Sequence, residues 1–279
     1  MTVHPPAPAV RELVARALAE DVGPIGDLTA ALLDPGAPAR GALVARAPGV
    51  LAGRLCATEA FAQVDPGVEV RWHADDGEAV AAGVRLADVA GAAASVVTAE
   101  RTALNLLCHL SGVATLTRRF VDAAGAGPTR VLDTRKTTPG LRAVEKAAVR
   151  AGGGYNHRGN LSEMVLVKDN HRAALGIAEA VARARRRWPL RAVEVECDTL
   201  GHVREAVAAG ATAVLLDNMT PEEAKACVAE VDGRALVEAS GGVSLGTVGA
   251  FAAAGVDFVS VGAITASAPA LDIALDLEG

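Results

Sequence analysis

From Gly127 onward, short apolar runs return at regular intervals, separated by stretches of helical pattern. They cover residues 130–132, 164–167, 192–195, 213–216, 235–237 and 258–261. Short apolar strands alternating with helices are the mark of βα units and a parallel sheet. Six units are fewer than the eight that close the usual barrel, so the expected fold is an incomplete (six-unit) α/β barrel. The residues that leave each run matter as much: 133–136, then Lys168, Glu196, Asp217, Ser240-Gly241-Gly242 and Gly262. Parallel sheets bind ligands at the carboxyl ends of their strands, so these residues form a candidate ring of functional groups.

The chain before Gly127 reads differently. Residues 1–9 form a Pro-rich arm and 10–20 a short amphipathic helix. Residues 40–94 hold the segments GALVARAPGVLAG, VEVRWHADDG and VRLADVAG, with glycine at the turns. That pattern predicts paired strands in a smaller N-terminal α+β sandwich domain. Thr98 opens a long helical region that Ser111-Gly112 is expected to break. The expected division is an N-terminal α+β domain over 1–110, the barrel domain over 111–267, and a tail, 268–279, returning to the first domain.

Composition excludes several classes. Hydrophobic residues make up 51% of the chain, but much of this is alanine, and no run of about 18 strongly apolar residues occurs. The start, MTVHPPAPAVREL, lacks the basic stretch and apolar core of a signal peptide. Cys56, Cys108, Cys197 and Cys227 show no CxxC or other metal-ligand spacing, so they are expected as small buried thiols in a reducing cytoplasm. A net charge of −6 argues against a general nucleic-acid binder. The run 183–187 reads as the solvated end of a helix.

Against that acidic background, residues 130–172 carry nine Lys or Arg and four Asp or Glu. The whole chain has 23 arginines and four lysines, yet Lys136, Lys146 and Lys168 all fall here. A compact ammonium approaches an oxygen as a point charge, which a planar guanidinium does not reproduce. Lys136 and Lys168 are therefore read as site residues. Arg135, Lys136, His157, Arg158 and Lys168 lie at strand ends or in the glycine-flanked loop GGGYNHR, with Arg101 in the long helix as a sixth candidate. So many cations around one pocket repel each other unless the ligand is polyanionic.

Glu196 and Asp217 leave neighbouring strands, where two carboxylates can hold a hard divalent cation through water or stabilise a developing sugar cation; a salt-bridged rim is the alternative. Ser240-Gly241-Gly242 and Val261-Gly262-Ala263 end the last two strands and each opens a helix, a placement suited to a phosphate.

The blocks DTRKTTPGLR, GGGYNHR and VLVKDNH, with TAERTALNLLCHLSG before them and VEVE, LLDNM, EASGG and VGA after, resemble the quinolinate phosphoribosyltransferase family from about Glu20 to the final LDIALDL. The resemblance implies transfer of phosphoribosyl from phosphoribosyl pyrophosphate to quinolinate with decarboxylation, using Mg2+. It implies that Arg101, Arg135, His157, Arg158 and Lys168 bind the two quinolinate carboxylates and that Lys136 serves the phosphoribosyl substrate. Glu196 and Asp217 would stand at the ribose and metal, and Ser240, Gly241, Gly242, Gly262 and Ala263 at the 5′-phosphate. It also implies a homodimer or larger assembly in which Arg101 reaches the neighbouring subunit's site. One departure stands out: Ala266-Ser267 follows VGAIT where a number of family members have histidine before the serine.

Other readings of the same residues are a relative acting on another pyridine or pyrimidine-like acid, a Schiff-base aldolase using Lys168, and a non-catalytic sensor of phosphoribosyl pyrophosphate. Nicotinate, with one carboxylate, would not need so many cations. The aldolase leaves Glu196 and Asp217 without a role.

Overall fold

The computed structural model describes residues 3–278, so the first two residues of the expected arm lie outside it. Helix α1 spans Ala7–Val22 and is followed by β1 (Pro38–Ala45), β2 (Gly49–Val50), α2 (Arg54–Val64), β3 (Glu69–Trp72), β4 (Ala79–Val80), β5 (Arg85–Ala92) and the long α3 (Ala93–Ala124). Then come β6 (Arg130–Leu132), α4 (Arg142–Ala151), β7 (Val165–Val167), α5 (Asp169–Leu175), α6 (Ile177–Arg187), β8 (Val193–Cys197), α7 (Leu200–Ala208) and β9 (Ala213–Asp217). The chain ends with α8 (Pro221–Val231), β10 (Leu236–Ser240), α9 (Val248–Ala253), β11 (Phe258–Ser260), α10 (Ala263–Ala266) and β12 (Ile273–Leu277).

Two compact units result. The first holds the residues up to Arg118, Thr137–Gly153 and those from Ala263; the second holds Arg119–Lys136 and Gly154–Gly262. In the first, a four-stranded antiparallel sheet runs in the order β12-β1-β5-β3, beside a short β2-β4 ladder. The last strand thus pairs with the first, Ala45 opposite Ile273 through Gly41 opposite Leu277.

Two local expectations need correction. The Pro-rich arm is shorter than residues 1–9, because α1 begins at Ala7 and takes in Pro8. Proline in a first helical turn gives up an N–H that has no partner there anyway. Ser111-Gly112 does not break the long helix: α3 continues through it. Its small residues serve packing. The Ser111 hydroxyl accepts from Ala52 N at 3.0 Å and donates to Ala52 O at 3.1 Å. A Cβ on Gly112 would lie 2.1 Å from the carbonyl oxygen of Pro269, so the C-terminal segment approaches as closely as glycine allows.

The second unit is a six-stranded parallel sheet in the order β6-β11-β10-β9-β8-β7. This keeps the cyclic succession of a barrel but leaves β6 and β7 as edges. The expected incomplete barrel is therefore an open sheet, not closed. The free edge of β6 is occupied locally by Tyr155, which bridges Leu132 and is held by Tyr155 N to Val131 O at 2.8 Å.

Alternation along the strands gives this sheet two unlike faces. Val195, Cys197, Val214, Leu216, Val237, Ala239 and Val259 are buried and apolar on one. The other carries Leu166, Glu194, Glu196, Leu215, Asp217, Glu238, Ser240 and Ser260. Strand registers put Glu196, Leu215 and Glu238 in one row across three strands, with Asp217 and Ser240 in the row above.

Candidate active site

The polar face and carboxyl edge of the parallel sheet enclose a cavity of about 500 Å³, within the usual range for a small-molecule site. Arg135, Lys136, His157, Arg158 and Lys168 line it, as do Glu196, Asp217, Ser240, Gly241 and Gly242. Ten residues singled out in the sequence thus share one hollow. Each strand ends as its side chain or turn reaches the cavity rim.

His157 and Arg158 lie in a long loop, and buried Asp133 at the end of β6 pins it. Its carboxylate accepts from His157 N at 2.9 Å and from Asn156 Nδ2 at 2.5 Å. Next to this anchor, Arg158 N donates to His157 Nδ1 at 2.8 Å, and the guanidinium donates to Met164 O at 3.3 Å. Burial first, and then repulsion from Arg135, pulls the Arg158 guanidinium below its ordinary range, with Glu194 opposing. Two guanidinium groups held so close are stabilised by an anion between them.

Lys168 follows β7 at the start of α5, and its Nζ forms an ion pair with Glu196 on β8. Asp169 N also points to Glu196, at 3.4 Å. Asp217 ends β9 and accepts from Asn218 Nδ2 at 3.0 Å. Asn218 takes a left-handed conformation (φ 56°), and its N–H reaches Ser240 O at 2.9 Å. Gly241 follows with φ 87°, and a Cβ there would lie 2.3 Å from Asn218 Oδ1 and 2.9 Å from Asn218 N. Only glycine fits this turn, for its backbone angle and for its neighbour. Gly262 is different. Its Cα comes so close to Lys136 that an added Cβ would lie 3.0 Å from Lys136 Cδ.

Arg101 is exposed on α3 and lines another hollow, of about 310 Å³, with Asp21, Asp27 and Thr98. Ala263 opens α10, and Ala266 ends it. Lys146 is buried in α4, among the residues of the first unit. The run 183–187 closes α6, where Arg183 pairs with Glu179 at 2.6 Å on the surface.

Sequence reading missed a buried group. His157 Nε2 lies 3.0 Å from Glu194 Oε2 and 3.4 Å from Glu238 Oε2, and both carboxyl groups are almost wholly buried. Glu194 sits inside the run 192–195, though the alternation in VEVEC marks Glu194 and Glu196 as sharing a face, and Glu238 directly follows the run 235–237.

The sheet and its cavity define an α/β protein built to hold a polyanionic small molecule at the carboxyl edge of a parallel sheet. Comparison with known proteins is specific. Residues 27–111 match the model of the quinolinate phosphoribosyl transferase N-terminal domain, and residues 113–276 match that of the C-terminal domain. The chain belongs to this family. It is 43% identical over 278 residues to the nicotinate-nucleotide pyrophosphorylase (carboxylating) of Mycobacterium leprae, covering 96% of this chain and 97% of that one. It is 39% identical over 270 residues to the probable enzyme of the same name from Bacillus subtilis, covering 96% and 93%. The nicotinate-nucleotide pyrophosphorylase structure from Francisella tularensis superimposes with a TM-score of 0.95 at 38% identity, covering 100% of this chain and 99% of that one.

Proposed function

We propose that this chain transfers phosphoribosyl from phosphoribosyl pyrophosphate to quinolinate with decarboxylation. The products are nicotinate mononucleotide, CO2 and pyrophosphate, a step of de novo NAD biosynthesis. The observation that carries this reading is the convergence of Arg135, Lys136, Arg158 and Lys168 on one cavity with paired carboxylates and a Ser-Gly-Gly turn. Pyridine-2,3-dicarboxylate needs several cations, and Arg135 and Arg158 are already crowded together. The Gly241-Gly242 turn suits a phosphate.

The residues act by holding and neutralising. Arg135, Arg158 and Lys168, with His157 fixing the Arg158 backbone, orient the dicarboxylate so that its ring nitrogen faces the ribose, while Lys136 and the Ser240 turn hold the phosphoribosyl group. Bond formation at that nitrogen makes the ring cationic, and the ring takes up the electron pair released as the 2-carboxylate departs as CO2. Positioning and electrostatics suffice, and no covalent enzyme intermediate is needed. A Schiff-base lysine must present a free amine, whereas Lys168 Nζ is engaged by Glu196.

Glu196 and Asp217 offer carboxylate oxygens from neighbouring strands, a hard donor set that suits Mg2+ held through water. When bound there, the ion would neutralise charge on the pyrophosphate. We assign Arg101 to the site of a neighbouring subunit in a homodimer or larger assembly; its exposure supports this. A reducing cytoplasm suits the four free thiols, and burial pushes Cys56 and Cys197 up to about 12. Among the described residues, no helix is long and apolar enough to cross a membrane.

The test is formation of nicotinate mononucleotide from quinolinate and phosphoribosyl pyrophosphate, with and without Mg2+. Turnover with the metal and little without it is expected. No product in either case would overturn the reading.

A further inference from the structure

The His157, Glu194 and Glu238 cluster does work that the proposed chemistry does not yet use. Nδ1 of His157 accepts the N–H of Arg158 at 2.8 Å, so this nitrogen carries a lone pair and no proton. The ring proton of a neutral imidazole must then sit on Nε2. Nε2 faces Glu194 Oε2 at 3.0 Å, with Glu238 Oε2 next to it at 3.4 Å. One N–H cannot serve two carboxylates, and two buried carboxylates side by side would repel. The arrangement is satisfied when Glu238 brings a proton of its own.

We infer that Glu194 and Glu238 are positioning residues for the reaction: they hold His157 as its Nε2–H tautomer, so that Nδ1 fixes the Arg158 peptide and aims Arg158 at the substrate carboxylates. This rests on reading the cavity as the dicarboxylate site. The charge pattern supports it. Burial, and then Glu194, push the Glu238 carboxyl up to about 8, with His157 and Ser260 opposing. Arg158, attracted by Glu194 and repelled by Arg135, is a cation beside the cluster. A neutral His157 adds no further positive charge there. A metal ion would compete for the same three side chains, but Nε2 needs its proton for as long as Nδ1 accepts from Arg158.

The test combines a spectroscopic and a kinetic readout. In 15N-histidine NMR of the wild-type protein, with the signal assigned through His157→Gln, His157 should be neutral and protonated at Nε2 from pH 6 to 8. Glu238→Leu should raise KM for quinolinate at least tenfold while leaving KM for phosphoribosyl pyrophosphate within about twofold. Glu238→Gln, which keeps a neutral donor, should recover most of that loss. A wild-type imidazolium or Nδ1–H tautomer overturns the inference even if Glu238→Leu does not fold. So does a folded Glu238→Leu that shifts both KM values alike or neither. A wild-type protein that forms no nicotinate mononucleotide overturns the functional reading instead, because the tautomer is measured without substrate.

Discussion

Lys168 and Glu196 form an ion pair across the ends of two neighbouring strands, one residue beyond the in-register pair Val167 and Val195. The two residues are assigned to different ligands: Lys168 to a substrate carboxylate, Glu196 to the metal and ribose. Without ligand each satisfies the other. On the proposed roles binding would exchange partners, and until then these two charges compensate each other while the crowded Arg135 and Arg158 await an anion.

Lys168→Met separates the pair's structural role from its binding role. The lysine side chain is 46% exposed but that of Glu196 only 10%, so the variant leaves a largely buried carboxylate without its cation, a loss of up to about 3–5 kcal/mol. The unfolding midpoint should fall by about 2–4 °C for each kcal/mol lost. KM for quinolinate should rise at least tenfold. A large fall in Tm with unchanged kinetics would show that the pair is structural only.

Lys136 offers a matched pair of tests. Lys136→Arg keeps the charge but replaces a compact donor with a longer planar fork. Gly262→Ala keeps the lysine but pushes it, since the new Cβ would lie 3.0 Å from Lys136 Cδ. A flexible side chain can give way, so folding should survive. Displacement of about 1 Å in a preorganised site can cost on the order of a hundredfold. Both variants should lose at least tenfold in kcat with normal thermal unfolding, while Lys225→Arg on α8 should be silent. If all three behave alike, the scarcity of lysine carries no functional information.

Much of this site was legible because its residues come directly after apolar runs. Arg135, Lys168, Glu196 and Asp217 mark where strands stop, and the chain must present them at one edge. Glu194 was not legible that way, while Glu238 directly follows the run 235–237 but stands two residues before the stronger signal of Ser240-Gly241-Gly242. A run read as continuously apolar hides an acid within it, and the partner that makes burial tolerable, His157, lies 37 residues from Glu194 in sequence. The long helix failed for a related reason. Ser111-Gly112 has the local chemistry of a break, but Ala52 and Pro269 put small residues there. Neither partner is near in sequence.

Arg101 tests the assembly. Arg101→Ala and Lys136→Ala should each be nearly inactive alone. If Arg101 completes the neighbour's site, mixing the two with verified subunit exchange yields hybrid dimers with one site free of both changes, and about a quarter of wild-type activity should return. Absence of recovery would place Arg101 in its own subunit's site or outside the chemistry.

Glu238 makes stability depend on pH in a direction opposite to that of a salt-bridged acid. Its folded-state pKa is raised to about 8 by burial and by Glu194, while an unfolded glutamate titrates near 4.3. Below about 4.3 both states hold the proton and the stabilising contribution is complete. Between there and about 8 the native state binds more protons than the unfolded chain, so stability falls as pH rises. The slope can reach about 1.4 kcal/mol per pH unit, and it ends once both states are ionised. Glu238→Gln has no proton to lose. The stability of wild type minus that of Glu238→Gln, measured by denaturant unfolding from pH 5 to 9, should therefore decrease steadily up to about pH 8 and then level off. Contributions from other titrating groups cancel in the difference. A difference that stays flat or rises across this window would mean that Glu238 is ionised in the folded protein.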